Sequence, residues 1–285
     1  MNKRIAAIHD LSGFGKCSLT VILPILSACG LEACPLVTAS LSSHTGGLPG
    51  FTHRDLTSDL LPAARQWRQL GLKFDGIYSG FLGSLEQIAV VSEIFDLLSQ
   101  NDTLIFVDPC MADNGKLYQT YSAEMARNTK ALCEKADFIL PNLTEAALLL
   151  DEPYEPEQYR TEEPISGLLE RLAARFHCGV VLTGVSFSEE QTGAACLEGP
   201  GKEPAFAFSE KIARHYHGTG DLFASVFIAG VMKGLTVQRS AQIAADFVSA
   251  AIARTVQDGT DERYGVNFEQ GIPDLINQFQ KEVRQ

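Results

Sequence analysis

A chain of 285 residues, 45% of them hydrophobic and 20% charged, carries ample apolar side chains for a core, and one domain over residues 1–285 is the expected organisation. A net charge of −12 and a pI of about 4.9 exclude a general nucleic-acid binder, which needs a basic face to displace counterions. Seven cysteines without a C-x-x-C pair speak for reduced thiols over a disulfide framework or zinc site. No run reaches the roughly 18 apolar residues of a membrane span, so the expected setting is soluble, cytoplasmic and free of membrane.

Residues 5–8 form an apolar run without alternation, the pattern of a strand buried on both faces of a parallel sheet. Asp10-Leu11-Ser12-Gly13-Phe14-Gly15-Lys16 follows as a loop, and residues 17–29 as a helix stopped by Gly30. The loop is not a P-loop, because positions 10 and 17 are Asp and Cys. Nor is it a dinucleotide fingerprint, because Ser18 and Leu19 stand where its third glycine would fall.

A strand over 33–39 leads into a polar loop over 41–50 that contains His44 and Thr45; long loops of this kind often serve function. A helix over 54–71, a strand over 76–79 and a helix over 84–99 continue the alternation. Phe81 lies in the turn Gly80-Phe81-Leu82-Gly83, as a stacking surface or as core. Residues 103–107 read as the clearest strand and deliver Asp108, with Asp113-Asn114-Gly115 shortly after. Acids at the carboxyl edge of a parallel strand lie where open α/β sheets bind ligands, and two of them can hold Mg²⁺. An Asx turn at Asp108 and an ordinary turn at 113–115 are the structural alternatives.

A strand over 136–140 precedes Asn142, a candidate N-cap that Glu145 completes as a capping-box pair. Residues 153–164 read as a surface loop. A helix over 165–177, a strand over 179–184 and two antiparallel strands over 193–197 and 205–209 follow. Next, Gly218-Thr219-Gly220-Asp221 opens an apolar, Ala-rich run that reads as a buried helix. Its free N–H groups and the positive end of the helix dipole make an anion site, and a carboxylate beside it could take a proton from an attacking hydroxyl. A Thr N-cap with an Asp in the first turn is the structural alternative. A last helix over 237–257 completes a doubly wound pattern.

These segments, in order, resemble the ribokinase-like superfamily and, within it, the pyridoxal (vitamin B6) kinases, over nearly the whole chain. The resemblance rests on Ser42-Ser43-His44-Thr45, Ser79-Gly80-Phe81-Leu82-Gly83-Ser84, Val107-Asp108-Pro109 with Asp113, residues 137–145, and His217-Gly218-Thr219-Gly220-Asp221. It implies a ribokinase-like three-layer α/β/α sandwich with a mostly parallel central sheet. It implies transfer of the ATP γ-phosphoryl to the 5′-hydroxyl of pyridoxal, pyridoxine or pyridoxamine, with Mg²⁺ and, in parts of the superfamily, a monovalent cation. Asp221 would be the base and Gly218, Thr219 and Gly220 the anion hole. Asp108 and Glu145 would hold the metal, and Asp113, Asn142, Glu145 and Thr183 the nucleotide. Asp10, Ser12, His44, Thr45 and Phe81 would surround the vitamer, and the chain would form a homodimer. One position departs, because pyridoxal kinases usually carry Ser where this chain has Asp10; the expectation is that Asp10 offers its carboxylate to a cationic group such as the ammonium of pyridoxamine. A hydroxymethylpyrimidine or sugar kinase of the same fold is the alternative, and a non-catalytic vitamer-binding protein is a further one.

Overall fold

Alternation of strands and helices organises the chain around one large sheet. The structure, a computed structural model, describes residues 2–283. In chain order the elements are β1 (Arg4–Ser12), α1 (Leu19–Ala28), β2 (Glu32–Leu41), β3 (His53–Asp55), α2 (Thr57–Gln69), β4 (Gly76–Ser79), α3 (Leu85–Leu98) and β5 (Leu104–Val107). There follow β6 (Ala112–Asp113), β7 (Lys116–Leu117), α4 (Ala123–Cys133), β8 (Phe138–Ile139), α5 (Leu143–Leu150), α6 (Glu162–Phe176), β9 (Gly179–Val185), β10 (Gln191–Leu197), β11 (Ala205–Glu210), α7 (Thr219–Met232), α8 (Val237–Gln257) and α9 (Ile272–Val283).

The main sheet has nine strands in the order β11-β10-β9-β8-β5-β4-β1-β2-β3. Its centre, from β9 to β2, is parallel, and β10, β11 and β3 run antiparallel at the two edges. Successive residues of β1 explain the three layers. Ala6 and Ile8 join the core under α2 to α6, while Ile5 and Ala7 join the core under α1, α7, α8 and α9. Burial on both faces is what makes such strands read as unbroken apolar runs. The expected α/β/α sandwich is therefore the observed one. Among the described residues no helix is long and apolar enough to cross a membrane.

The chain reverses direction across the sheet between β1 and β4, since β1 has β2 on one side and β4 on the other. Such a switch point opens a crevice at the carboxyl ends of the strands, where ligands of open α/β sheets bind. The helix that meets this crevice is anchored along its length, because residues 222–230 of α7 are all buried. Gly230 brings α8 close, since a Cβ there would overlap the side chain of Ser240.

Several elements differ from the sequence-based expectation. β1 continues through Ser12, so Asp10 lies in a strand rather than a loop. The turn at 113–115 is the tip of the β6–β7 hairpin, with Asn114 and Gly115 at φ 49° and 76°, the positive pair that a tight hairpin turn requires. The helices α4 and α9 were not expected, so the helix over 237–257 is not the last. The N-cap of α7 is Gly218 at φ 78°, not Thr219.

Candidate functional site

Five strand ends converge on the crevice: Asp10 from β1, Phe81 after β4, Asp108 after β5, Asn142 after β8 and Thr183 in β9. The start of α7 faces them. Leu222 donates the first helical bond to the Gly218 carbonyl at 3.0 Å, so the N–H groups of Thr219, Gly220 and Asp221 come before the ladder and point out of the helix end. A Cβ on Gly220 would meet nothing within 4 Å, so packing does not demand that glycine. Gly218 is different, because a Cβ there would overlap the Lys16 carbonyl oxygen. The loop after β1 thus lies directly on the helix start. The hydroxyl of Thr219 donates to the Tyr216 carbonyl at 3.2 Å.

Asp221 stands in the first turn of α7. The backbone N–H of Ser18 donates to its Oδ2 at 2.8 Å, and its Oδ1 has no protein donor among the described residues. Although the residue keeps some contact with solvent, desolvation of its carboxyl raises the pKa to about 7, opposed by the Ser18 bond and reinforced by the charge of Asp10. A carboxyl poised there can exchange a proton at neutral pH. Asp108 is held well above the usual carboxylate range by burial first, then by the charges of Glu145 and Asp221.

Glu145 is buried and pairs with Asn142 in the expected capping box. Its Oε1 accepts from the N–H groups of Met111 at 2.8 Å and Ala112 at 3.3 Å, and its Oε2 from that of Asn142 at 3.0 Å. Burial drives its pKa up to about 7 against these three bonds. Asn142 donates from Nδ2 to the Ala112 carbonyl at 2.8 Å, so the pair ties the segment after β5 to the start of α5. Asp113 accepts from the N–H and side-chain amide of Asn114 at 2.9 and 3.0 Å within its own turn. Thr183 forms a bridge with Asn142 and lies at the same sheet edge.

Asp10 is buried, and each of its oxygens receives a hydroxyl, from Ser12 at 2.8 Å and from Ser18 at 2.6 Å. His44 is buried too. Its Nε2 donates to the Arg263 carbonyl at 2.6 Å while its Nδ1 accepts from the Gly46 N–H at 3.0 Å, which fixes a neutral tautomer. Its ring lies 4.6 Å from that of His217. Thr45 is exposed beside it, and Phe81 is half-buried, 6.3 Å from Tyr121 between ring centres. Asp10, Asp108, Asn142 and Thr183 thus come from strands or strand ends of the one sheet and Asp221 from the helix start that faces them, while each carboxylate oxygen of Asp10 and Glu145 and both ring nitrogens of His44 already hold at least one bond within the protein.

Three groups near the acids, one imidazole and two thiols, are held in their neutral forms by burial. His9, one residue before Asp10, is fully buried against Tyr78, and burial lowers its pKa to about 3. The thiols of Cys17 and Cys110 are pushed up by burial first and then by the nearby carboxylates, so both stay protonated. A cavity of about 520 Å³ lies beside Arg214, Tyr216, Thr260 and Arg263. Asp261 and Glu262 also line it, whereas Asp10, Asp108, Asp113, Glu145 and Asp221 do not.

A metal at this edge finds a strongly acidic setting, in which no lysine or arginine is among the groups acting on Asp108, Glu145 or Asp221. Yet no three His, Cys, Asp or Glu side chains among the described residues converge as a metal-binding group. The residues fit Mg²⁺ that takes most of its ligands from phosphates and water, as Mg²⁺ commonly does.

Comparison with known proteins decides the family. The profile of the phosphomethylpyrimidine kinase family matches residues 23–266. The chain belongs to that family. A Bacteroides thetaiotaomicron protein assigned to phosphomethylpyrimidine kinase is 39% identical, with a TM-score of 0.92 over 96% of this chain and 94% of that one. An orthorhombic form of the same kinase was solved with pyridoxal, at a TM-score of 0.90 over 96% of both chains. A pyridoxal kinase from Lactobacillus plantarum is 28% identical over 98% of both chains, with a TM-score of 0.88. A pyridoxal kinase of Vibrio vulnificus is 28% identical over 96% of this chain and 95% of its own. Like these relatives the chain is a kinase.

Sequence reasoning missed Ser18, which touches both Asp10 and Asp221. In the sequence it stands where a dinucleotide fingerprint would carry its third glycine, and nothing local signals its backbone shape.

Proposed function

We propose that this kinase phosphorylates the 5′-hydroxyl of a vitamin B6 vitamer with ATP, acting as one domain with Asp221 as general base. The observation that carries the reading is the Asp221 carboxylate itself, one oxygen held by Ser18 and the other open beside the N–H groups that begin α7. The N–H groups of Gly218, Thr219 and Gly220, with that of Asp221 beside them, stabilise charge on the transferring phosphoryl, while the Asp221 carboxylate accepts the proton of the attacking hydroxyl. The protonated thiols of Cys17 and Cys110 favour direct transfer without a covalent enzyme intermediate.

Asp108 would hold Mg²⁺, with Glu145 reaching it through water because both its oxygens already accept N–H bonds. The cation offsets phosphate charge when bound. Asp113, Asn142 and Thr183 line the nucleotide side and Thr45 and Phe81 the vitamer side, with His44 shaping the vitamer loop. The resemblance to the B6 kinases carries the homodimer, and the free cysteines favour the cytoplasm.

Similarity to a protein solved with pyridoxal supports a B6 vitamer, whereas similarity to hydroxymethylpyrimidine/phosphomethylpyrimidine kinases of Escherichia coli and Bacillus subtilis supports a hydroxymethylpyrimidine as the second reading. ADP formation from Mg·ATP with pyridoxal, pyridoxine, pyridoxamine, hydroxymethylpyrimidine and ribose, each offered alone, tests the two. Turnover confined to the pyrimidine would replace the first reading by the second.

A further inference from the structure

Ser18 occupies the N-cap of α1 yet makes no cap bond from its side chain, which is unusual for a serine in that place. Its hydroxyl turns instead to Asp10 Oδ1 at 2.6 Å, while its N–H reaches Asp221 Oδ2 at 2.8 Å. The backbone there stands at φ 52° and ψ −134°, a conformation that suits glycine and strains an L-residue. Lys16 and Gly15 beside it also have positive φ, 53° and 105°. Strain of this kind persists only where the surroundings impose it. Asp10 is one of the groups that hold Ser18, together with Asp221 and the first turn of α1, and it is itself buried, its second oxygen accepting from the Ser12 hydroxyl at 2.8 Å. The base of the proposed reaction, the strained loop and the residue that departs from the B6 kinase pattern are thus joined by two short hydrogen bonds.

We infer that Asp10 serves catalysis through Ser18 rather than by touching the substrate: it clamps the Ser18 hydroxyl, holds the left-handed backbone, and so aims the Ser18 N–H at Asp221. Ser18 is then a positioning residue. It fixes one oxygen of the base and leaves the other for the acceptor hydroxyl. The inference rests on Asp221 as base, and it takes from Asp10 the role of a ligand for a substrate ammonium, since the residue is buried and each of its oxygens already accepts a hydroxyl from its own loop. Asp10 and Asp108 are the carboxylates facing Asp221, with the thiols of Cys17 and Cys110 beside them.

The test compares Ser18→Ala with Ser18→Gly, two variants that lose the same hydroxyl. Alanine resists φ 52° and glycine does not, so Ser18→Ala is expected to lose about tenfold in kcat through relaxation of the loop. Ser18→Gly is expected to rescue kcat to within about threefold of wild type, because glycine needs no clamp. Asp10→Ala is expected to lower kcat in the wild-type background by a similar factor for all three vitamers, and to have little further effect in the Ser18→Gly background. A second readout needs no turnover: titration of the Asp221 carboxyl by ¹³C NMR in the substrate-free protein. Loss of the Ser18 bond is expected to move that titration to higher pH in Ser18→Ala and to leave it in place in Ser18→Gly. Equal behaviour of the two Ser18 variants would overturn the inference, and so would an Asp10→Ala effect undiminished in Ser18→Gly or confined to KM for pyridoxamine. Should Asp10→Ala fail to fold, the Ser18 pair still decides. An active Asp221→Asn control would remove the base reading instead, while the NMR titration would continue to report on the clamp.

Discussion

Replacing Asp221 by Asn should lower activity and raise stability together, and the size of each effect follows from the site. Burial raises this carboxyl from its ordinary 3.8 to about 7, so the folded state holds a proton that the unfolded chain releases at lower pH. Folded wild type therefore loses stability as pH climbs from about 4 to about 7, and the loss is complete above that. Taken whole, the shift corresponds to about 4 kcal/mol. Asp221 keeps some contact with water, which screens the charge, so about 1–2 kcal/mol is the realistic gain for the neutral Asn. At about 2–4 °C per kcal/mol, the variant should melt a few degrees above wild type at pH 8 without ligands. Roughly half of that gap should remain at pH 5.5, where folded Asp221 is mostly protonated but unfolded Asp is not. The same variant should lose about 10² to 10⁴ in kcat, the usual contribution of a general base. Thermal unfolding by circular dichroism at the two pH values and coupled ADP assays give both numbers. A melting gap that is negative or independent of pH, or a kcat loss under about tenfold, would refute the reasoning.

Gly220→Ala and Gly218→Ala should separate ligand approach from packing. A Cβ at 220 meets no protein atom, so the first variant should keep its Tm, while kcat/KM for ATP falls because the added methyl intrudes on the phosphates. A Cβ at 218 overlaps the Lys16 carbonyl and stands at φ 78°, so the second variant should lose about 2–3 kcal/mol of stability in urea unfolding, along with its activity. Glu145→Gln leaves at least one of the Met111, Ala112 and Asn142 N–H groups facing an amide NH₂. A loss of about 1–3 kcal/mol is expected, seen as a lower urea midpoint at unchanged slope; unchanged stability would mean that the carboxylate is not the anchor of that loop.

The sheet was legible because its central strands are buried on both faces, which leaves short apolar runs bounded by turn residues. β3 escaped because all three of its residues are exposed, and β6 and β7 because two residues carry no periodicity. The two unexpected helices were legible in principle. Met125, Ala126, Thr129, Leu132 and Cys133 form the buried stripe of α4, with Ser122 as N-cap, and Leu275 and Phe279 are buried on α9. Both stripes follow the helical period, but charged residues between them hide it in a scan for apolar runs.

Of the candidate site, the residue types and the local Asn142–Glu145 capping box were legible, and the partners distant in sequence were not. Acids near the end of β1, after β5 and at the start of α7 announce themselves by position, because the parallel strand order brings those ends to one edge. What each polar group bonds depends on segments far away in sequence: His44 reaches Arg263, 219 residues on, and Ser18 reaches Asp221, 203 residues on. Asp10 shows the consequence most sharply. From sequence, a carboxylate at a ligand-facing strand end reads as a contact for a cationic substrate. In the fold two hydroxyls fill it, one of them on a residue held at φ 52°. A buried carboxylate whose two oxygens each accept a hydroxyl from its own loop restrains that loop, and its burial keeps it from an approaching ligand. On the proposed reading, in which Thr45 and Phe81 flank the vitamer with side chains partly or wholly exposed, changes at those two positions should alter KM between vitamers where changes at Asp10 alter kcat for all of them alike.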